Sequence, residues 1–258
     1  MLENRSFDQV LGCFQSKYPD LAGVDKTLPP DQFRFNVDSA NRRYFQQPGA
    51  TKQTTPDPKH ELEHVAVQLK NKNSGFVLDY ESAGAGPDDL QQVMSYYDKD
   101  SDPDLLPATH QLADEFTICD RWFSSLPGPT WPNRFFALSG TSSGKVKMPE
   151  GIEHPDIGGF FDQTQDTIFD RLYEKGKRYT IYYYDFPCSL ILKHQRKPHQ
   201  LANYRKIDRF FNQDVHDEAT FLTLSLSSQN IRASTKMTII RRTTSSREKS
   251  LLRMSTTR

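Results

Sequence analysis

The sequence is short of several features that commonly reveal a function. Its three cysteines, Cys13, Cys119 and Cys188, stand far apart with no CxxC pair, which removes the usual zinc and redox-couple arrangements. No stretch approaches the roughly 20 apolar residues that cross a bilayer. Met1-Leu2 is followed at once by Glu3-Asn4-Arg5 in place of an apolar signal core, so the chain as given is expected to be soluble and to carry no address. Charge of one sign is lacking too, since 33 Lys+Arg balance 33 Asp+Glu over 258 residues. Apolar material is thin: counting the 13 Gly in place of the 11 Tyr gives roughly 36%, against a usual 45–50%. Part of the chain is therefore expected not to pack.

The charge balance hides a split. Residues 219–258 hold 8 Ser, 8 Thr and 8 Lys/Arg against one acid, Glu248, with no Gly, Pro, Asp, Tyr or Trp. The body before them is left with 25 basic and 32 acidic residues, a net of −7. A shift of this kind is what a basic, unpacked arm looks like.

Within the body, Ser6 followed by Phe7, Val10, Leu11 and Phe14 predicts a capped helix. Residues 20–59, rich in Pro, Gln, Asp and Asn, predict a long surface excursion. Two amphipathic helices are expected. One begins at His60-Glu61 with Leu62, Val65 and Leu69 on its apolar face, and the other follows Pro87-Asp88-Asp89 with Leu90, Val93, Met94 and Tyr97. Phe116–Cys119 and the stronger run Tyr179–Tyr184 read as strands. Between them Asp166 is a candidate cap for a helix carrying Ile168, Phe169, Leu172 and Tyr173, closed by Gly176. This grammar predicts an α/β fold with a mixed sheet.

The segment WFSSLPGPTWPNRFFALSGTSSG, Trp122 to Gly144, is dense in Pro, Gly and small hydroxyls. Composition alone favours a proline-rich connection whose aromatics cover the edge of a core. The sharper expectation is a rigid turn, Ser139–Gly144, presenting a hydroxyl nucleophile for acyl or phosphoryl transfer.

Four segments carry a resemblance: MLENRSFDQVLG (Met1 to Gly12), DPKHELEH (Asp57 to His64), LADEFTICDRWFSSLPGPTWPNRFFALSGTSSG (Leu112 to Gly144) and YYYDFPCSL (Tyr182 to Leu190). Together, and in this order over almost all of residues 1–218, they resemble the phosphoesterase family of bacterial phospholipases C, plant non-specific phospholipases C and related acid phosphatases. The resemblance implies an alkaline-phosphatase-like fold, a mixed sheet sandwiched by helices. It implies a divalent metal ion of unknown identity with Glu3 and Asn4 as ligands, hard oxygen donors suited to such a cation. It makes Thr141 the nucleophile, with Ser142 as the fallback if the register differs by one, and His60 a donor to a phosphoryl oxygen. Asn133 and Arg134 are expected to tie loops together, with Arg134 as a phosphate clamp the weaker alternative. Asp120 and Asp185, each after a strand-like run, are left to structural hydrogen bonding, and His64, His110, His154, His194 and His199 are assigned no function. The implied substrates are phospholipids or small phosphate esters, with transient contact to a membrane surface and no nucleic acid. Secretion or a periplasmic location is implied by the family alone.

Two departures from the family shape the expectation for this chain. The hydrophobic strand that normally precedes ENRSFD is absent, so Glu3 is expected on a fraying end. After Asp208-Arg209-Phe210-Phe211 the family continues with motifs close to LPxFxFIEPxY, NDDHPPH and DEHGGxxDH, none of which occurs here. Codons for residues 220–258 read in another frame permit the first two motifs, and Met237-Thr238 forces the Asp the pattern requires. We take residues 219–258 as translated out of frame. The rival, a basic arm around Arg241, Arg242 and Arg247 that binds RNA or anionic lipid, has only that clustering behind it. The expected organisation is thus 1–218, the N-terminal part of a phosphoesterase domain incomplete at both ends, and 219–258, a tail that is unpacked or out of frame. Such a chain is expected to be inactive, or even a product without function. The DNA across codons 210–258 is expected to carry third bases that spell the motifs in the alternative frame, and bases incompatible with them reject the frameshift.

Overall fold

A computed structural model describes residues 5–148 and 163–214, together with the backbone of 225–228. The chain divides into two compact units whose described parts run from residue 5 to Gly128 and from Pro129 onwards. Helices and small sheets alternate in both, a mixed α/β organisation.

In the first unit, helix α1 (Phe7–Leu11) starts where the sequence predicts, with the Ser6 hydroxyl accepting from the Gln9 amide at 3.2 Å. Phe14 continues into a 3-10 turn, where it is fully buried with Cys13, Val24, Tyr96 and Ala113. The excursion over residues 20–59 is not irregular throughout. Strands β1 (Phe35–Val37) and β2 (Arg43–Phe45) form an antiparallel ribbon with Phe35 opposite Phe45. The buried Asp38 carboxylate organises the turn between them by accepting from the amides of Ala40 and Arg42 and from Arg42 Nε. Two-residue strands β3 (Gln47–Pro48) and β4 (Ser95–Tyr96) pair in parallel.

Helix α2 (Leu62–Gln68) forms as expected, yet none of its residues is fully buried and Leu69 beyond it is 46% exposed. Its partner α3 (Phe76–Ser82) supplies the core instead, with Val77 and Tyr80 packed against Ala85 and Leu90. Gly75 allows the two helices to meet, because a Cβ there would stand 1.9 Å from the Val67 carbonyl oxygen. The predicted helix at Leu90–Tyr97 is shortened to a 3-10 turn, Leu90–Met94, because Ser95 and Tyr96 are drawn into β4. Helix α4 (Pro107–Glu115) buries Ala113 and His110, whose Nε2 donates to the Val10 carbonyl at 3.0 Å. The strand expected at Phe116–Cys119 does not form; Phe116 is 43% exposed and the segment is irregular. β-Propensity without a partner edge does not make a strand.

The second unit opens with α5 (Thr130–Ser139), inside the stretch whose Pro and Gly content reads as a connection. Both prolines are compatible with a helix start, since Pro129 is the cap and Pro132 lies in the first turn, where its missing N–H is not needed. Phe135 on this helix is 1% exposed and packs with Ile191 and Leu192. Leu138 touches both that cluster and a second one of Phe169, Tyr179 and Ile181. Helix α6 (Ile168–Glu174) carries Phe169 inward. The predicted strand is present as β5 (Thr180–Tyr183), central in a parallel sheet between β6 (Tyr204–Lys206) and β7 (Ser225–Ser228).

The cap of α6 is Thr167, not Asp166. Thr167 Oγ1 accepts from the amides of Phe169 and Asp170, while Asp170 Oδ2 takes the Thr167 amide at 2.8 Å and its hydroxyl at 2.7 Å. This reciprocal pair is a capping box with Asp in the Glu position. Burial pushes the Asp170 pKa up, but the Thr167 hydroxyl and amide, with His194 and Gln200, outweigh it and hold the carboxyl below its ordinary value. A depressed carboxyl stabilises the fold fully above its unfolded pKa, about 3.9, and loses that contribution as pH falls through the folded pKa. The urea midpoint of the chain is thus expected to exceed that of Asp170→Asn at pH 6 and to converge with it as the pH drops below about 4. A gap that stays constant with pH rejects the assignment.

Candidate functional site

The turn expected at Ser139–Gly144 exists and its geometry is specific. Helix α5 ends at Gly140, which sits at φ +73° and closes the helix with its amide on the Phe136 carbonyl at 2.9 Å. A side chain there meets no neighbour, yet the left-handed backbone disfavours any residue with a Cβ. The Ser139 hydroxyl shares its proton between the Phe135 carbonyl at 2.7 Å and the Thr141 carbonyl at 3.0 Å. Thr141 Oγ1 accepts from the Ser143 amide at 3.0 Å, and Ser143, itself at φ +51°, donates its hydroxyl to Gln165 Oε1 at 3.1 Å. Thr141 is half-buried and its hydroxyl is oriented from behind, whereas Ser142 is only 4% exposed. Accessibility thus favours Thr141 over its neighbour as an attacking group.

An open recess of about 490 Å³ adjoins this turn, bounded by Ser139, Gly140, Gln165, Asp166 and Arg171. Asp166, Asp170 and His194 converge beside it, with ligand-type atoms all within 4.8 Å of one another. Sequence reading missed this trio, although the Thr-x-x-Asp pattern at 167–170 signals the fixed carboxylate. Its oxygens are largely committed: Asp170 Oδ2 to Thr167, Asp170 Oδ1 to Gln200 and Asp166 Oδ2 to Arg171. His194 Nδ1 stands 3.2 Å from Asp166 and 3.7 Å from Asp170.

Asn133 Nδ2 donates to the Pro129 carbonyl at 3.1 Å, a bond within the start of α5 and not between loops. Arg134 is 9% exposed, with its guanidinium 5.6 Å from the Trp131 ring. Asp120 accepts from the Ala22 amide and Asp185 from the Phe186 amide, both structural uses. The aromatics before α5 behave differently from the covering role that composition suggests. Trp122 and Phe123 are 85% and 80% exposed, whereas Trp131, inside α5, packs against the Phe135 cluster.

His60 belongs to the first unit. It precedes α2 and is half-buried, with Nδ1 3.4 Å from the Pro58 carbonyl. Its backbone amide donates to Glu61 Oε2 at 3.2 Å. Burial raises the Glu61 pKa, but the amides of Glu61 and His60, with the charges of His60 and Lys59, bring it below its ordinary value. His64 is not idle, since Nδ1 lies 2.7 Å from the buried Asp79. Glu3 and Asn4, the expected metal ligands, lie outside the described residues.

Comparison with known proteins places these motifs in one family. Non-specific phospholipase C3 of Arabidopsis thaliana is 31% identical over 217 residues, covering 79% of this chain and 39% of the plant protein. Non-specific phospholipase C1 of the same plant is 31% identical over 224 residues, 83% of this chain and 39% of that protein. Phospholipase C B of Mycobacterium tuberculosis is 29% identical over 174 residues, covering 59% of this chain and 32% of the bacterial protein. The chain therefore spans about two-fifths of the length of the plant relatives it matches. The family model described as "Phosphoesterase family" matches residues 1–236, nearly the whole length, and with the ordered run of motifs this makes the chain a member of the phosphoesterase family.

Proposed function

We propose that this polypeptide carries the nucleophile-bearing part of a phosphoester hydrolase of the phospholipase C kind, built on the alkaline-phosphatase-like sandwich that the resemblance implies. The observation that supports it is the Ser139–Gly144 turn, in which a half-buried Thr141 hydroxyl is held by the Ser143 amide at the end of α5.

The carbonyl end of α5 adjoins that turn, and a helix C-terminus repels an approaching anion. A phosphoryl group there requires positive charge, and the Glu3 carboxylate and Asn4 carboxamide would hold a divalent cation through hard oxygen donors, beside which the Thr141 hydroxyl would act. Such an ion supplies charge neutralisation and a lowered hydroxyl pKa. Thr141 Oγ1 forms a bond to phosphorus as the bond from phosphorus to the ester alcohol breaks, and the hydroxyl proton ends on the departing alcohol. Water then bonds to phosphorus, the Oγ1–phosphorus bond breaks, and Oγ1 regains a proton from that water. His60 donates a hydrogen bond to a non-bridging phosphoryl oxygen. With a phospholipid the products are a diacylglycerol and a phosphomonoester, and a phosphomonoester substrate follows the same path. The exposed Trp122 and Phe123 support a transient contact with a lipid surface, where aromatic side chains are favoured.

A second proposal concerns this chain alone. Residues 219–258, read as out of frame, hold neither an acid-and-histidine run like the family's NDDHPPH nor any histidine at all, so with this segment in place the chain turns over no substrate. The test is a motif-restored version, in which the family's frame replaces that of residues 219–258 and the family's strand stands ahead of Glu3. Acid quenching during turnover of a phosphocholine lipid is expected to trap phosphothreonine at Thr141. Phosphate found on another residue, or on none while turnover proceeds, rejects the mechanism.

A further inference from the structure

The loop carrying His60 is held by α2 and α3. Tyr80 Oη donates to the Pro56 carbonyl at 2.9 Å, and Gln68 Nε2 donates to the Lys59 carbonyl at 2.8 Å. The same Gln68 nitrogen gives its other proton to Asp79 Oδ2 at 2.7 Å, while His64 Nδ1 engages Asp79 Oδ1 at 2.7 Å. Asp79 is 2% exposed, so its carboxylate has little water to turn to and is an immobile acceptor. A carboxamide nitrogen has two protons, and here both are used. Rotating the Gln68 amide by half a turn sets its oxygen against a carbonyl and a carboxylate, which fixes its orientation.

The peptide group between Lys59 and His60 is therefore clamped from both sides. Its oxygen is held by Gln68 and its N–H by the Glu61 carboxylate at 3.2 Å. We propose that Gln68, anchored on Asp79, is the positioning residue for His60. It fixes the plane from which the imidazole projects and so the direction in which His60 donates to a phosphoryl oxygen. The inference rests on the proposed role of His60. It adds that the role depends on a glutamine eight residues further along and a buried aspartate on the next helix.

Inorganic phosphate tests this on the full chain without requiring turnover. Isotope-labelled histidine, with the His60 signal assigned through His60→Gln, reports phosphate binding as a shift of the ring resonances. Gln68→Met keeps length and helix propensity while losing both hydrogen bonds. It is expected to weaken phosphate binding about tenfold, with a cooperative thermal transition retained at a somewhat lower midpoint, and to cause no further weakening in a His60→Gln background, as a residue acting through another must. Unchanged affinity in Gln68→Met overturns the inference, as does an equal loss when His60 is already replaced. A different result sinks the parent reading: phosphate binding that is absent, or as tight in His60→Gln as in the parent, means that His60 is no phosphoryl donor in this chain. If Gln68→Met does not fold, Gln68→Ala takes its place, and failure of both to fold makes Gln68 a residue of the fold and rejects a positioning role.

Discussion

Thr141→Ala is expected to reduce phosphocholine release by about 10³-fold or more in the motif-restored protein, with little change in KM, because loss of a nucleophile removes a group that acts in the transition state. Thr141→Ser retains a hydroxyl on the same turn and is expected to recover most of the lost rate. Ser142→Ala separates the two registers. With its side chain 4% exposed, Ser142 is poorly placed to attack, and its replacement is expected to leave kcat within about tenfold of the parent. The reverse pattern, a large loss at Ser142 and a small one at Thr141, moves the nucleophile by one residue and rejects the assignment made here.

The second large effect is on stability. Phe135→Ala is expected to cost about 3–5 kcal/mol, the range for truncating a buried aromatic whose surroundings cannot collapse. Phe135 is 1% exposed against Ile191 and Leu192, with the Trp131 ring centroid 6.4 Å away. Because α5 ends at the Thr141 turn, loosening this contact loosens the support of that turn as well. Urea unfolding followed by tryptophan fluorescence measures the cost. Phe116→Ala, at a residue 43% exposed, is the control and is expected to cost less than about 1.5 kcal/mol. Equal losses at the two positions reject the core assigned to the second unit.

What the sequence made legible follows from how local each signal is. Ser6 ahead of α1, the aromatic run of β5 and the Gly176 stop after α6 are decided within a few residues, and each was found where expected. Helix α5 was hidden because Pro129, Pro132 and Gly128 look like loop chemistry. Only their positions, at a cap, in a first turn and just ahead of the start, make them compatible with a helix. The Leu90–Tyr97 stripe has helical spacing, but β3 competes for its last residues, a contact about fifty positions away that periodicity cannot register. Asp166 looks like the cap by residue type, but the Thr-x-x-Asp pattern one position later is the stronger signature, because its two side chains satisfy each other's backbone. The roles proposed for Thr141 and His60 rest on a resemblance, not on any local signal. The Gln68 clamp was not visible at all, because His64 and Gln68 reveal their purpose only once α3 brings Asp79 beside them.

The order of the three parallel strands has a practical consequence. Thr180–Tyr183 is the middle member, bonded on one flank to Tyr204–Lys206 and on the other to Ser225–Ser228. Cutting the polypeptide before Ser225 strips that second flank and leaves amide and carbonyl groups beside a tyrosine-rich ribbon with nothing to satisfy them, a surface on which chains stack upon one another. Anyone trimming the basic extension for ease of handling gains solubility in composition and forfeits it in architecture.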